Sequence, residues 1–316
     1  MPYEPVPYWG LIPHGMSFHG DAASVAVDSR DRVYTFNRGT HPLMVFDSEG
    51  NLLETWGDRE DPRWALVRRP HSVQVDEDDN LWLIDDGGHW VQKRSPKGDV
   101  ILTLGNPDQP AEWQGGGIFN GPTDIAVHRP TGHLFVSDGY HNSRVHRFDE
   151  QGRHVMSWGE PGSEPGQFSL PHGIAVTPDD HVVVCDRENF RIQVFDLDGR
   201  FVRHWPMHRP TGISVGPDGL LYIAEAGPRQ VQRKVPNLGR CVRVVDIEGN
   251  LVERIGHREY GHEVDKFVAI HGVAVDSQRD IYVAECRGTS LTLYNPEELP
   301  RPTGEPPSLR KWRRLD

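Results

Sequence analysis

Six copies of one short pattern constrain this chain more than any other feature. The segments SVAVDSRDRVYTFNRG, SVQVDEDDNLWLIDDGG, DIAVHRPTGHLFVSDGY, GIAVTPDDHVVVCDREN, GISVGPDGLLYIAEAG and GVAVDSQRDIYVAECRG begin at Ser24, Ser72, Asp124, Gly173, Gly212 and Gly272. The intervals of 48, 52, 49, 39 and 60 residues describe one recurring unit of about 50 residues. A fixed period of this size overrides any element-by-element assignment.

Each copy reads as four strands. The fourth runs GIAV, a turn TPDD, HVVVCD, a loop, RIQVFD, a turn LDG and FVRHW, with alternating apolar residues bounded by turn formers. Gly50, Gly98, Gly152, Gly199 and Gly249 close the third-to-fourth turns, where tight hairpins need a positive φ. Six antiparallel four-stranded units predict an all-β fold, a six-bladed β-propeller, with residues 1–316 as a single domain. The fourth strands end in ETWG, LTLG, MSWG or RIG; the sixth copy has no such strand, whereas PVPYWG stands near the amino terminus. Residues from about 3 to 10 are therefore expected to supply the outer strand of the last blade. SLRKWRRL becomes that blade's third strand and residues from about 291 to 307 an insertion. Closing the ring in this way removes the open sheet edge.

Composition excludes several function classes. The 33 Gly and 26 Pro suit a turn-rich fold and stay below the level of disordered chains. A formal net charge of −12 argues against nucleic acid or an anionic membrane as partner. Cys185, Cys241 and Cys286 lie far apart without Cys-x-x-Cys spacing, which suits reduced, buried thiols. MPYEPVPYWG has neither a basic n-region nor an apolar h-region, and no apolar run is long enough to span a bilayer, so a cytoplasmic location is expected. A closed ring permits a monomer; no pattern argues for or against assembly.

The residue just before each inner strand carries the chemistry. These are Ala23, His71, Thr123, His172, Thr211 and His271, so histidine occupies alternate blades, at separations of 101 and 99 residues. In a meander this entry point and the loop after each second strand share one face of the ring. The three imidazoles therefore converge on the axis about 120° apart, a geometry that follows from taking every second of six blades. Three neutral imidazoles with an open position form a catalytic type of zinc site, with ferrous or manganous ions as further occupants of the same donor chemistry. On the same face stand Arg38 in FNRGTH, able to clamp a carboxylate, and Tyr140 in SDGYHNSR, beside the metal position. His41, His89 and His141 project from these loops too but are read as loop-bonding, not as ligands.

SDGYHNSRVHRF, PGQFSLPHGIAV, DRENFRIQVFD, FNRGTH and the PHS and IHG entries resemble the NHL-repeat propellers of the peptidyl-α-hydroxyglycine α-amidating lyase family, bacterial relatives above all. The resemblance runs over nearly the whole chain and is most specific from Pro122 to Asp196. It implies a zinc lyase that breaks the carbon to nitrogen bond of an N-acyl α-hydroxyglycine, releasing an amide and glyoxylate. His71, His172 and His271 match the family's metal ligands, Tyr140 its catalytic tyrosine and Arg38 its active-site arginine. The implied partner is a small molecule or peptide bearing a carboxylate and an α-hydroxyl. Three positions depart from the pattern. Ala269 replaces a methionine, Gly272 replaces an acidic calcium ligand, which argues against structural calcium there, and His141 replaces a cysteine.

Two other readings share the fold. A metal-dependent hydrolase could use the same three histidines to attack an ester, lactone or amide with a bound water. A non-catalytic NHL propeller could present its loops to a protein partner.

Overall fold

The computed structural model describes residues 2–57, 61–227, 238–291 and 308–315. Its strands form six four-stranded antiparallel sheets arranged as a six-bladed β-propeller. The inner strands are Ala22–Val27, Pro70–Val75, Pro122–His128, Pro171–Val176, Pro210–Val215 and Ile270–Val275. Consecutive inner strands lie against one another around the ring, the sixth against the first. Four of them begin on proline, tolerated there because the first residue of a strand need not donate to the ladder.

The sixth blade is closed by both ends of the chain. Tyr3–Val6 pairs antiparallel with Leu309–Arg314, from Tyr3 opposite Arg314 to Val6 opposite Lys311. Leu309–Arg314 in turn pairs with Ile281–Glu285. The outer strand is shorter than the expected 3–10, because residues 7–10 leave the sheet in a turn. Trp9 then packs beside Phe46 and Tyr282, at ring centroid distances of 5.8 and 5.0 Å. Within the insertion expected at 291–307, residues 292–307 lie outside the described residues.

Strand alternation divides the core into inter-blade layers. Leu81 and Leu83 face the first blade, packing with Tyr34, Phe36 and Val45. Trp82 and Ile84, one residue out of phase, face the third blade and pack with Ile125, Leu134 and Val136. A similar cluster fills the junction of blades six and one, where Ala274 and Tyr282 meet Val25, Val33 and Met44. Burying both faces of every inner sheet is what a continuous Val/Ile/Leu pattern with period two achieves. All three cysteines are buried and free. No helix among the described residues is long and apolar enough to cross a membrane.

Candidate metal centre and active site

One residue of each inner strand falls out of register with its neighbour. The ladder slips between Ala22 and Ser24, Pro70 and Ser72, Pro122 and Asp124, Pro171 and Ile174, Pro210 and Gly212, and Ile270 and Gly272. A β-bulge leaves its extra residue unpaired and re-aims that side chain. Ala23, His71, Thr123, His172, Thr211 and His271 all sit at these slips. They therefore lie inside the strands as bulge residues, one step later than the pre-strand position that the sequence pattern suggests.

Three side chains re-aimed in this way form a nearly equilateral triangle. The ring centroids of His71, His172 and His271 are 4.8, 4.9 and 4.7 Å apart, and one nitrogen from each lies within 4.8 Å of the others. Each histidine also contacts the bulge residue of the next blade. His71 Nδ1 is 2.6 Å from the carbonyl oxygen of Thr123, His172 Nδ1 2.6 Å from that of Thr211, and His271 Nδ1 2.7 Å from that of Ala23. A carbonyl only accepts, so each Nδ1 carries the proton and each Nε2 presents a lone pair. Burial drives the imidazoles toward the neutral form, aided by neighbouring imidazoles and arginines. His71 and His172 are held well below their ordinary value and His271 is lowered to about 3. Neutral imidazoles with Nδ1–H committed to backbone oxygens form the oriented ligand set that a divalent metal requires. By donor chemistry, the residues fit zinc.

Tyr140 reaches the same point. Its hydroxyl lies 3.0 Å from His71 Nε2, to which it donates, and 3.4 Å from His172 Nε2. The turn that carries it presses on the fourth blade: a Cβ on Gly139 would lie 1.9 Å from the Pro171 carbonyl oxygen, so only glycine fits there. Gly39, beside Arg38, is constrained in the same way by the Ser17 carbonyl oxygen, 1.6 Å from an ideal Cβ. Arg38 is ion-paired with Asp21 at 3.0 Å and also donates to Thr289 Oγ1.

In blades two to six a carboxyl group ends the second strand and fixes the entry loop, whereas the first blade's second strand ends in Asn37. Asp85 accepts from the Arg68 and Arg69 amides just ahead of His71, and Glu285 from the Val268 and Ala269 amides just ahead of His271. Asp138 and Asp186 do the same for Asn120 and Ser169.

Above the histidines lies a cavity of about 430 Å³, lined by Arg38, Arg69, Arg187, Arg209, Tyr140 and His271 among others. Arg69 and Arg187 lie 5.4 and 5.7 Å from the centre of the Tyr140 ring. Cys286 also lines it, but burial pushes its thiol up to about 12, so it is no nucleophile near neutral pH. Below the ring, Asp124 is buried and raised to about 6 by that burial. It accepts from Ser72 Oγ at 2.6 Å, Gln74 Nε2 at 3.0 Å, and the Ile125 and Ile174 amides. Gly272 packs tightly in this channel, since a Cβ would stand 3.0 Å from Ser24 Cα and the neighbouring strand would have to give by a few tenths of an ångström.

The five residues singled out from the sequence are thus brought to one face. Arg69 and Arg187 join them unforeseen, and Asp124 stands on the opposite side of the histidines, equally unforeseen. Arg187 had a signal in DRENFR, on the same loop set as Tyr140; Arg69 had none beyond its place two residues before His71. His89 serves a loop, as expected, accepting from the Gly121 amide at 3.1 Å.

Residues 119–148 and 168–195 match the NHL repeat family. The chain is 39% identical over 217 residues to a peptidylglycine alpha-amidating monooxygenase of Rattus norvegicus, covering 58% of this chain and 21% of that protein. It is 35% identical over 269 residues to peptidyl-alpha-hydroxyglycine alpha-amidating lyase 1 of Drosophila melanogaster, covering 81% and 44%. A probable lyase of the same name from Caenorhabditis elegans is 30% identical over 211 residues, covering 64% and 57%. The chain thus spans about a fifth of the rat protein and about half of the other two. Among solved structures, a streptogramin B lyase superposes with a TM-score of 0.62 over 99% of this chain and 97% of that one; at 14% identity the likeness is one of fold. Its NHL repeats, its six blades and these relatives support grouping the chain with the peptidyl-α-hydroxyglycine α-amidating lyase family.

Proposed function

We propose that the protein is a metal-dependent lyase, with zinc held by His71, His172 and His271. It cleaves the carbon to nitrogen bond of an N-acyl α-hydroxyglycine to an amide and glyoxylate. The observation that carries this reading is the convergence of the three Nε2 lone pairs and the Tyr140 hydroxyl on one point beneath an arginine-lined cavity.

When bound, the metal supplies Lewis acidity to the substrate hydroxyl. Arg38 holds the substrate carboxylate and balances negative charge as it develops. Tyr140 acts as the phenolate: its own proton, donated to His71 Nε2 in this structure, passes to solvent when that lone pair holds a metal, and the phenolate oxygen then accepts the hydroxyl proton as general base. The electron pair left on oxygen forms the aldehyde carbonyl, the carbon to nitrogen bond breaks, and the departing amide nitrogen takes the proton back from Tyr140. Atoms balance without water entering or leaving.

The test is product analysis with α-hydroxyhippurate. The lyase reading requires benzamide and glyoxylate, with loss of both on metal removal and recovery on adding zinc. Benzoate carrying solvent oxygen would instead identify a hydrolase on the same histidines.

A further inference from the structure

The cavity over the histidines carries more unspent positive charge than one carboxylate can use. Five arginines line it and, among the described residues, no acid does, although the chain as a whole carries a net charge of −12. Arg209 is committed, donating to both Glu188 oxygens and to the Gly227 carbonyl. Arg240 is stacked on Tyr260 at 4.7 Å. Arg187 shares the same Glu188 through its Nε, and its side chain is only 5% exposed. Among the described residues its side chain donates a hydrogen bond through Nε and none through its terminal nitrogens. Arg38 likewise keeps one terminal nitrogen unspent after Asp21, Thr289 and the Pro70 carbonyl are served. In the lyase reading, these inner donors are the ones that serve the α-carboxylate of the substrate.

That leaves Arg69. Its only polar side-chain partner among the described residues is Asp86, 3.1 Å from Nη1, so its Nε and Nη2 are available, and its side chain is 47% exposed at the cavity mouth. Asp86 is 2% exposed, and one of its oxygens has no hydrogen-bond partner. Burial raises that carboxyl to about 7, so near neutral pH it offsets only part of the Arg69 charge. The ion pair anchors Arg69 and leaves its outer nitrogens facing whatever enters.

We propose that Arg69 is a specificity residue that reads a second anion: the substrate is an N-acyl α-hydroxyglycine whose acyl group itself carries a carboxylate. The position of the bond cleaved rests on the lyase reading; the anion site does not. An acyl group that covers Arg69 strips water from it, and a carboxylate there replaces that water with a charge-assisted hydrogen bond, whereas a neutral acyl group offers no such replacement.

Calorimetric titration with N-succinylglycine and its neutral isostere N-succinamoylglycine, both unreactive for want of the hydroxyl, tests the site. The dianion is expected to bind about 10-fold more tightly, a difference that shrinks as salt rises. Arg69→Gln brings the ratio to about one, while Arg69→Lys, which keeps the charge, retains several-fold of it. Equal affinities in the native protein, an undiminished ratio in Arg69→Gln, or loss of the ratio in Arg69→Lys would each overturn the proposal. Glyoxylate release from N-succinyl-α-hydroxyglycine is read separately. Preference without release upholds the anion site and removes the lyase reading; release without preference does the reverse.

Discussion

His271 donates through Nδ1 to the carbonyl oxygen of Ala23, 2.7 Å away, across the junction that closes the ring. Ala23 occupies in the first blade the bulge position that His271 occupies in the sixth. The same contact joins His71 to Thr123 and His172 to Thr211. Histidine blades thus alternate with blades whose bulge supplies the orienting carbonyl. Since that carbonyl belongs to the backbone, Ala23 supplies it as well as Thr123 and Thr211 do. The arrangement ties the orientation of His271 to ring closure.

Metal content should follow the triangle. The native protein is expected to bind about one zinc per chain, the stoichiometry of a single three-histidine site. His172→Gln should weaken binding by about 100-fold or more, beyond the range typical of lost outer-sphere partners. Elemental analysis after dialysis against a weak chelator measures this. Full zinc occupancy in the variant would place the metal elsewhere.

Tyr140→Phe should lower kcat by about 100-fold or more, the usual share of a general base, while leaving zinc content unchanged. The phenyl ring can keep its place against Arg69 and Arg187, so the fold should persist. Rates near those of the native enzyme would remove Tyr140 from the mechanism.

The periodic parts of this architecture are legible in the sequence. Six turn-bounded copies predict the blades, and the unmatched PVPYWG predicts that residues from about 3 to 10 complete the last one, of which Tyr3–Val6 does so. The bulges are not legible, because a one-residue slip leaves no composition signal; hence His71, His172 and His271 read as pre-strand residues although their spacing is correct. Arg69 was invisible for a related reason. Its direction is set by Asp86, 17 residues later, and by the Asp85 carboxylate that accepts its amide, and neither contact follows a period. Asp124 stands beside a threonine entry, where no histidine drew attention to it.

Gly139→Ala should separate backbone fit from chemistry. A methyl group 1.9 Å from the Pro171 carbonyl oxygen cannot be accommodated without moving either the Tyr140 turn or the entry strand of His172. A cost of about 3 kcal/mol is expected, at the upper end for overpacked sites. Thermal unfolding should show it, and zinc affinity should fall as well because His172 is displaced. A variant with native Tm and native metal content would show that the turn has slack.

Glu188→Gln tests the charge balance of the cavity wall. Glu188 accepts from Arg209 at 2.6 and 3.1 Å and from Arg187 at 3.0 Å, and both guanidinium groups are buried. Removing the carboxylate strands two buried cations, so a loss of about 3 kcal/mol is expected near pH 7. Burial pushes the Glu188 carboxyl up, but its hydrogen bond to Arg209 and the charges of Arg187 and Arg209 outweigh this and hold it at about 2, against an ordinary 4.5. A carboxyl lowered in the folded state binds fewer protons there than in the unfolded chain. Its stabilisation is therefore complete above about pH 4.5 and is lost as the pH falls toward 2. The native protein should lose Tm more steeply than Glu188→Gln across that interval, as followed by circular dichroism. Parallel profiles would mean that Glu188 is solvated and that Arg187 and Arg209 are balanced by another anion.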